Sequence, residues 1–136
     1  APGQDVIIQA AAPADYRFEQ VSDIKVKKQD GEPLMMWLVE NPDVARAVGE
    51  RKRAGQTLVG FAAETDHLEA NARGKLVRKN ADLVVANDVT QPGAGFNVDT
   101  NIATLITETD ERELPLLSKR ELGDKILDCV MEIRKG

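Results

Sequence analysis

Apolar residues along this chain fall in short runs separated by polar stretches of helical length. Asp5 to Ala12 (Asp-Val-Ile-Ile-Gln-Ala-Ala-Ala) is a nearly continuous apolar run, the pattern of a parallel strand buried on both faces. Pro13 to Pro33 is mostly polar, with weak periodicity and a turn signal at Asp30-Gly31, and reads as a loop or flap. Leu34 to Val39 reads as a strand, with Trp37 as a core or interface anchor. Asn41-Pro42-Asp43 then signals a helix start, with Asn41 as N-cap, Pro42 in the first helical position and Asp43 in the first turn. The helix continues through Val44, Ala45, Ala47 and Val48 until Ala54-Gly55 ends it. Its unpaired N–H groups are suited to holding a phosphate.

Leu58 to Ala63 and Leu83 to Asn87 are apolar strands flanking a helix over Asp66 to Asn80. This is a βαβ pattern, and ligands of open α/β sheets bind off the carboxyl ends of the strands. Lys75 and Lys79 are expected to converge there with Asn87 and Asp88. Gln91 to Asn97 is glycine-rich but lacks the order of a dinucleotide fingerprint or a P-loop. Asn101 to Thr107 is a β-branched strand, and Asp110 to Arg112 is a hairpin turn leading into Leu114–Leu116. Ser118 caps a last helix, with Glu121 in the capping-box position and Leu122, Ile126, Val130 and Ile133 on its buried stripe. The expected fold is α/β: a Rossmann-like three-layer arrangement with a largely parallel central sheet, a C-terminal hairpin and a C-terminal helix. Residues 1–136 form one domain, without internal repeats.

Composition adds mostly exclusions. The chain has 136 residues, 42% hydrophobic and 30% charged, as in ordinary globular proteins. No apolar run approaches the ~20 residues that span a bilayer, and no export signal is present, so neither a membrane nor secretion is expected. The net charge of −5 argues against general nucleic-acid binding. Arg51, Lys52 and Arg53 read as a solvated helix end. Cys129 is the only cysteine, which rules out an internal disulfide and fits a reducing compartment; its helical neighbours Ile126, Leu127, Val130 and Ile133 make it a packing residue. His67 is the only histidine, so no Ser/His/Asp set can be assembled, and no His/Cys cluster has metal-ligand spacing. Lysine, backbone N–H and carboxylate near strand ends remain, which is equipment for phosphoryl or nucleotidyl transfer.

Seven segments carry a family resemblance. They are Ala10-Ala11-Ala12-Pro13-Ala14-Asp15-Tyr16-Arg17, Lys25-Val26-Lys27-Lys28, Asn41-Pro42-Asp43, Gly60-Phe61-Ala62-Ala63-Glu64-Thr65, Lys75-Leu76-Val77-Arg78-Lys79-Asn80-Ala81-Asp82, Ala86-Asn87-Asp88-Val89 and Gly95-Phe96-Asn97. In this order and spacing they resemble bacterial phosphopantothenoylcysteine synthetase. That family is often the C-terminal domain of the bifunctional pantothenate-metabolism flavoprotein of coenzyme A biosynthesis. The resemblance implies a cytoplasmic ligase that joins 4'-phosphopantothenate to L-cysteine. CTP activates the carboxylate as an acyl-cytidylate, with Mg2+ on the triphosphate.

The resemblance also assigns residues. Gln9, Ala10 and Ala11 supply strand-end backbone against CTP, and Ala12 falls to the substrate. Asp15 contacts the nucleotide, and Lys25 is the catalytic flap lysine of the activation step, also at the nucleotide. Pro42, Asp43, Val44 and Ala45 form the nucleotide-binding helix start, and Phe61, Lys75 and Lys79 complete the CTP contacts. Relatives are homodimers, and Trp37 with Met35 and Met36 suits such an interface.

Pro13 departs from the family pattern, in which a small or branched apolar residue is usual. The family's preceding strand, glycine-rich turn and Asn-Ser-Ser-Gly stretch are not in this sequence, so it reads as the C-terminal part of a synthetase domain. No flavin is expected. Two other readings stay open. A Rossmann-type NAD(P) oxidoreductase would need a glycine fingerprint where Ala10-Ala11-Ala12-Pro13 stands, and the third reading is a non-catalytic fragment or nucleotide-binding module.

Overall fold

The computed structural model describes residues 2–28, 30–93 and 98–136. In chain order the elements are β1 (Val6–Gln9), β2 (Tyr16–Phe18), β3 (Leu38–Glu40), α1 (Val44–Glu50), β4 (Thr57–Glu64) and α2 (Leu68–Arg78). They continue with β5 (Leu83–Asp88), β6 (Thr100–Asn101), β7 (Ala103–Ile106), β8 (Glu111–Glu113), β9 (Leu117–Ser118) and α3 (Lys119–Lys135). The chain divides into two compact units, one made of residues 1–10 and 44–136 and the other of residues 11–43.

The larger unit is built on a five-stranded sheet in the order β1-β4-β5-β7-β8. β1, β4 and β5 are parallel, while β7 and β8 run antiparallel to their neighbours. Strand side chains alternate between faces, and the core divides accordingly. Leu83 and Val85 of β5, with Ala103 and Leu105 of β7, pack against Leu122, Ile126, Cys129 and Val130 of α3. Val84 and Ala86, with Ile106, pack on the other face against Ala72 and Leu76 of α2. Burying one such Val, Leu or Ile is worth about 1.5–3 kcal/mol, so this alternation fixes the register. The result is the expected three-layer α/β fold.

α3 begins as its sequence requires. The Ser118 hydroxyl accepts from Glu121 N–H at 3.2 Å, and the Glu121 carboxylate accepts from Ser118 N–H at 2.9 Å. These bonds satisfy helix N–H and cap N–H groups together. The hairpin lies slightly earlier than its sequence signal. Thr107 N–H donates to the Asp110 carbonyl at 2.9 Å, so the turn spans 107–110, and β8 is polar Glu111–Glu113 rather than Leu114–Leu116.

Three further expectations are corrected. β1 is shorter than the apolar run and only half-buried, with Ile8 42% exposed, because among the described residues β4 is its only sheet neighbour. α1 starts at Val44 rather than Pro42 and ends at Glu50. The Asn41 amide is engaged elsewhere: it donates to the Ala14 carbonyl at 2.7 Å and accepts from Arg17 at 3.1 Å. The third correction is Lys52, whose side chain is only 12% exposed. Its ammonium donates to both Asp82 carboxylate oxygens at 2.9 and 2.8 Å and to the Asn80 carbonyl at 2.8 Å. Asp82 also accepts Leu58 N–H at 2.7 Å, so the lysine ties the segment after α1 to the start of β4 and the entry to β5.

Beside this tie, Asn80 occupies the left-handed region at φ 46 and closes α2 in a Schellman pattern. Ala81 N–H reaches the Leu76 carbonyl at 3.0 Å, and Asn80 N–H reaches the Val77 carbonyl at 3.2 Å. Gly49 of α1 sits so close to this end that a Cβ would stand 1.8 Å from the Lys79 carbonyl oxygen.

The smaller unit is an antiparallel ribbon of β2 and β3, with Tyr16 opposite Glu40 and Phe18 opposite Leu38. β2 lies inside the segment read as a loop, and the expected strand over 34–39 narrows to β3. Its apolar side chains are largely uncovered: Met35 is 83% exposed, Trp37 71%, Leu38 54% and Phe18 52%.

Candidate functional site

The carboxyl ends of β4 and β5 lie side by side, since Glu64 is in register with Asp88, while β1 ends earlier, with Gln9 in register with Gly60. Gln9 is half-buried and Ala10 exposed. Phe61, next to Gly60, turns to the α3 face, where it packs against the core. Val44 and Ala45 open α1, with Ala45 buried. In the ribbon unit, the Asp15 carbonyl accepts Asn41 N–H at 2.7 Å, which sets Asp15 beside the segment leading to Pro42 and Asp43. Ala11, Ala12, Asp15, Pro42 and Asp43 are exposed, and so is Lys25, which lies outside any regular element.

The two lysines of α2 do not converge. A helix joining two parallel strands runs antiparallel to them, so its last turn lies by their amino ends. Lys79 is the C-cap of α2, three residues before Asp82, whose N–H reaches the Leu58 carbonyl near the start of β4. Lys75 is different. Its ammonium reaches back along the helix to Glu64, the last residue of β4, at 2.6 Å. The second Glu64 oxygen accepts from the Asn71 amide at 3.2 Å, and that amide also donates to the Asp66 carbonyl at 3.1 Å. Glu64 is 13% exposed and Lys75 29%. Lys75 and Phe61 thus stand on opposite faces of the sheet.

The polar residues ending β5 serve the fold. The Asn87 side-chain oxygen Oδ1 accepts from the Asn101 side-chain amide at 2.9 Å. Asp88 accepts from Thr90 N–H at 3.0 Å and from the Gln91 amide at 2.9 Å, and the Thr90 hydroxyl foremost holds its carboxyl below the usual range. A cavity of about 500 Å3 opens beside them, lined by Leu68, Glu69, Ile102 and Thr104 among others, and none of the family-matched nucleotide residues lines it. His67, exposed on its rim, starts α2 from the left-handed region at φ 44. Ala94 to Asn97, part of the glycine-rich segment, lie outside the described residues. Sequence reasoning passed over Glu64 as the partner of Lys75 and Asn71 as the partner of Glu64. In the sequence Glu64 stands just past the apolar run 58–63, inside a family-matched segment and without an assigned role.

Burial pushes the Cys129 thiol up, against a smaller opposing effect of Arg112. This is the reverse of what a nucleophile needs. Among the described residues, no group of three or more His, Cys, Asp or Glu side chains is placed to hold a metal ion, and no helix is long and apolar enough to cross a membrane.

A parallel β1-β4-β5 core with helices on both faces and polar groups at its carboxyl edge defines a Rossmann-like α/β domain. Comparison with known proteins narrows this class. The chain matches the family "DNA/pantothenate metabolism flavoprotein C-terminal domain" over residues 1–133, and it belongs to that family. It is 46% identical over 132 residues to the coenzyme A biosynthesis bifunctional protein CoaBC of Bacillus subtilis, covering 96% of this chain and 32% of that protein. The Escherichia coli counterpart is 45% identical over 130 residues, covering 94% and 32%. The chain therefore spans about a third of the length of the curated relatives it matches.

Among solved structures, the C-terminal domain of CoaBC superposes with a TM-score of 0.74 at 34% identity, covering 99% of this chain and 58% of that one. The DNA/pantothenate metabolism flavoprotein of Streptococcus pneumoniae, at 24% identity and a TM-score of 0.72 over 96% of this chain and 64% of that one, shares the fold.

Proposed function

We propose that this chain supplies the nucleotide-binding part of a ligase that joins 4'-phosphopantothenate to L-cysteine at the expense of CTP. The carboxylate of 4'-phosphopantothenate attacks the α-phosphorus of CTP, pyrophosphate leaves, and an acyl-cytidylate forms. The cysteine amine then attacks the acyl carbon, CMP leaves, and an amide results. Neither step needs an enzyme nucleophile, which accords with a sole cysteine that is buried. Catalysis rests on positioning and charge neutralisation. Mg2+ brought with the triphosphate would offset part of its negative charge. Lys25 is the activation-step lysine; Gln9, Ala10, Ala11, Asp15, Phe61, Lys75 and residues 42–45 bind CTP, Lys79 at the far end of α2 stands apart from this set, and Ala12 meets the acyl substrate. The protein works as a cytoplasmic homodimer through the apolar side chains of the ribbon unit.

The observation that carries this reading is 46% identity to a coenzyme A biosynthesis protein along nearly the whole chain. The test is pyrophosphate release by the intact protein with CTP, Mg2+ and 4'-phosphopantothenate, followed by amide formation on adding cysteine. Lys25→Ala is expected to abolish acyl-cytidylate formation, and unchanged turnover in that variant sinks its assigned role. CTP binding without pyrophosphate release by the unaltered protein favours the non-catalytic module instead.

A further inference from the structure

Resting on the reading of Lys75 as a CTP contact, we infer that Glu64 is the positioning residue for that lysine. Lys75 is the eighth residue of α2 (Leu68–Arg78), well away from the helix end that lies by the strand termini. A free ammonium there would sample many rotamers in solvent. Instead it is drawn to the last residue of β4, where the Glu64 carboxylate takes it at 2.6 Å. Glu64 is itself held: its second oxygen accepts from Asn71 at 3.2 Å, and only 13% of its side chain is exposed.

The carboxylate thus converts a lysine of the helix body into a fixed donor at the sheet's carboxyl edge. One of the three ammonium donors points at Glu64, and two remain for a ligand. Protein kinases present their nucleotide lysine in the same way, through an ion pair with a helix glutamate. Positioning of this kind lowers the ordering cost of binding.

The test is titration of the intact protein with CTP and Mg2+, for Lys75→Met, Glu64→Gln and the double variant, with melting curves to confirm folding. Lys75→Met is expected to weaken binding at least tenfold and Glu64→Gln about fivefold, while the double variant is no weaker than Lys75→Met alone. In turnover, Glu64→Gln is expected to raise the KM for CTP and leave the KM for cysteine unchanged. Wild-type affinity in Lys75→Met overturns the nucleotide reading of this lysine, and the inference with it. A weak Lys75→Met beside an unaffected Glu64→Gln, or a Glu64→Gln effect that persists in the Lys75→Met background, overturns the inference alone. If Glu64→Gln fails to fold, Asn71→Ala carries the same test: a two- to threefold loss is expected, absent in the Lys75→Met background. Any other outcome for Asn71→Ala overturns the inference.

Discussion

Replacing Lys52 by Met leaves a half-buried carboxylate without its cation, and the structure bounds the cost. Exposed ion pairs contribute about 0–1 kcal/mol, and removing one partner of a fully buried pair costs about 3–5 kcal/mol. Lys52 is 12% exposed and Asp82 29%, closer to the buried limit. The variant also strips the Asn80 carbonyl of its 2.8 Å donor, while Asp82 keeps its 2.7 Å bond from Leu58 N–H. We expect a loss of about 2–3 kcal/mol, which is roughly 8–12 °C in melting temperature for a domain of this size.

Urea unfolding of Lys52→Met, Asp82→Asn and the double variant measures it. The coupling between the two sites is expected at about 1–2 kcal/mol. Arg46→Ala is the control, since its partner Glu50 lies at the same 2.9 Å scale of separation but both side chains are over 60% exposed. That pair is expected to give about 0.3–0.5 kcal/mol. A Lys52→Met loss no larger than the Arg46→Ala loss would refute the claim that burial, rather than distance, sets the strength of this tie.

Four other outcomes follow from the structure. Gly49→Ala brings a Cβ to 1.8 Å from the Lys79 carbonyl oxygen and is expected to destabilise by about 2–4 kcal/mol in urea unfolding, because two backbones must separate. The Ser118 hydroxyl, then its N–H, hold the Glu121 carboxyl below its ordinary value of 4.5. Its contribution is therefore full above about pH 4.5 and is lost as pH falls through the lower folded value. Ser118→Ala should shift the acid-unfolding midpoint upward by circular dichroism. Burial raises the Cys129 thiol, so the folded protein should react with a disulfide reagent only as fast as it opens, with labelling following urea concentration. Trp37→Ser with Leu38→Ser, at 71% and 54% exposed positions, should give monomers in sedimentation if the ribbon joins two copies; an unchanged dimer removes the ribbon from that role.

Features governed by neighbours along the chain are legible in the sequence itself. The apolar runs at 58–63 and 83–87, the helix between them and the Ser118–Glu121 box rest on periodicity or on contacts three residues apart, and all three stand. What is illegible there depends on pairs far apart. β2, Tyr-Arg-Phe, lies in a mostly polar segment with weak periodicity and becomes a strand only because β3, 20 or more residues on, pairs with it. Lys52 looks like a solvated helix end until Asp82, 30 residues away, closes on it.

The lysines of α2 are a case between these. Spacing of i, i+4 suggests a shared helix face, but Lys79 caps α2 from outside it, and a shared ligand edge does not follow from the spacing. An 11-residue helix is about 16 Å long, and between parallel strands it must run back from the carboxyl edge. Lys79, capping its far end, therefore starts too distant for its ammonium to reach the same point as that of Lys75. This much follows from topology and length alone. Which residue draws Lys75 to the edge does not, because Glu64 lies on another element and acts only through the turn that folds α2 onto β4.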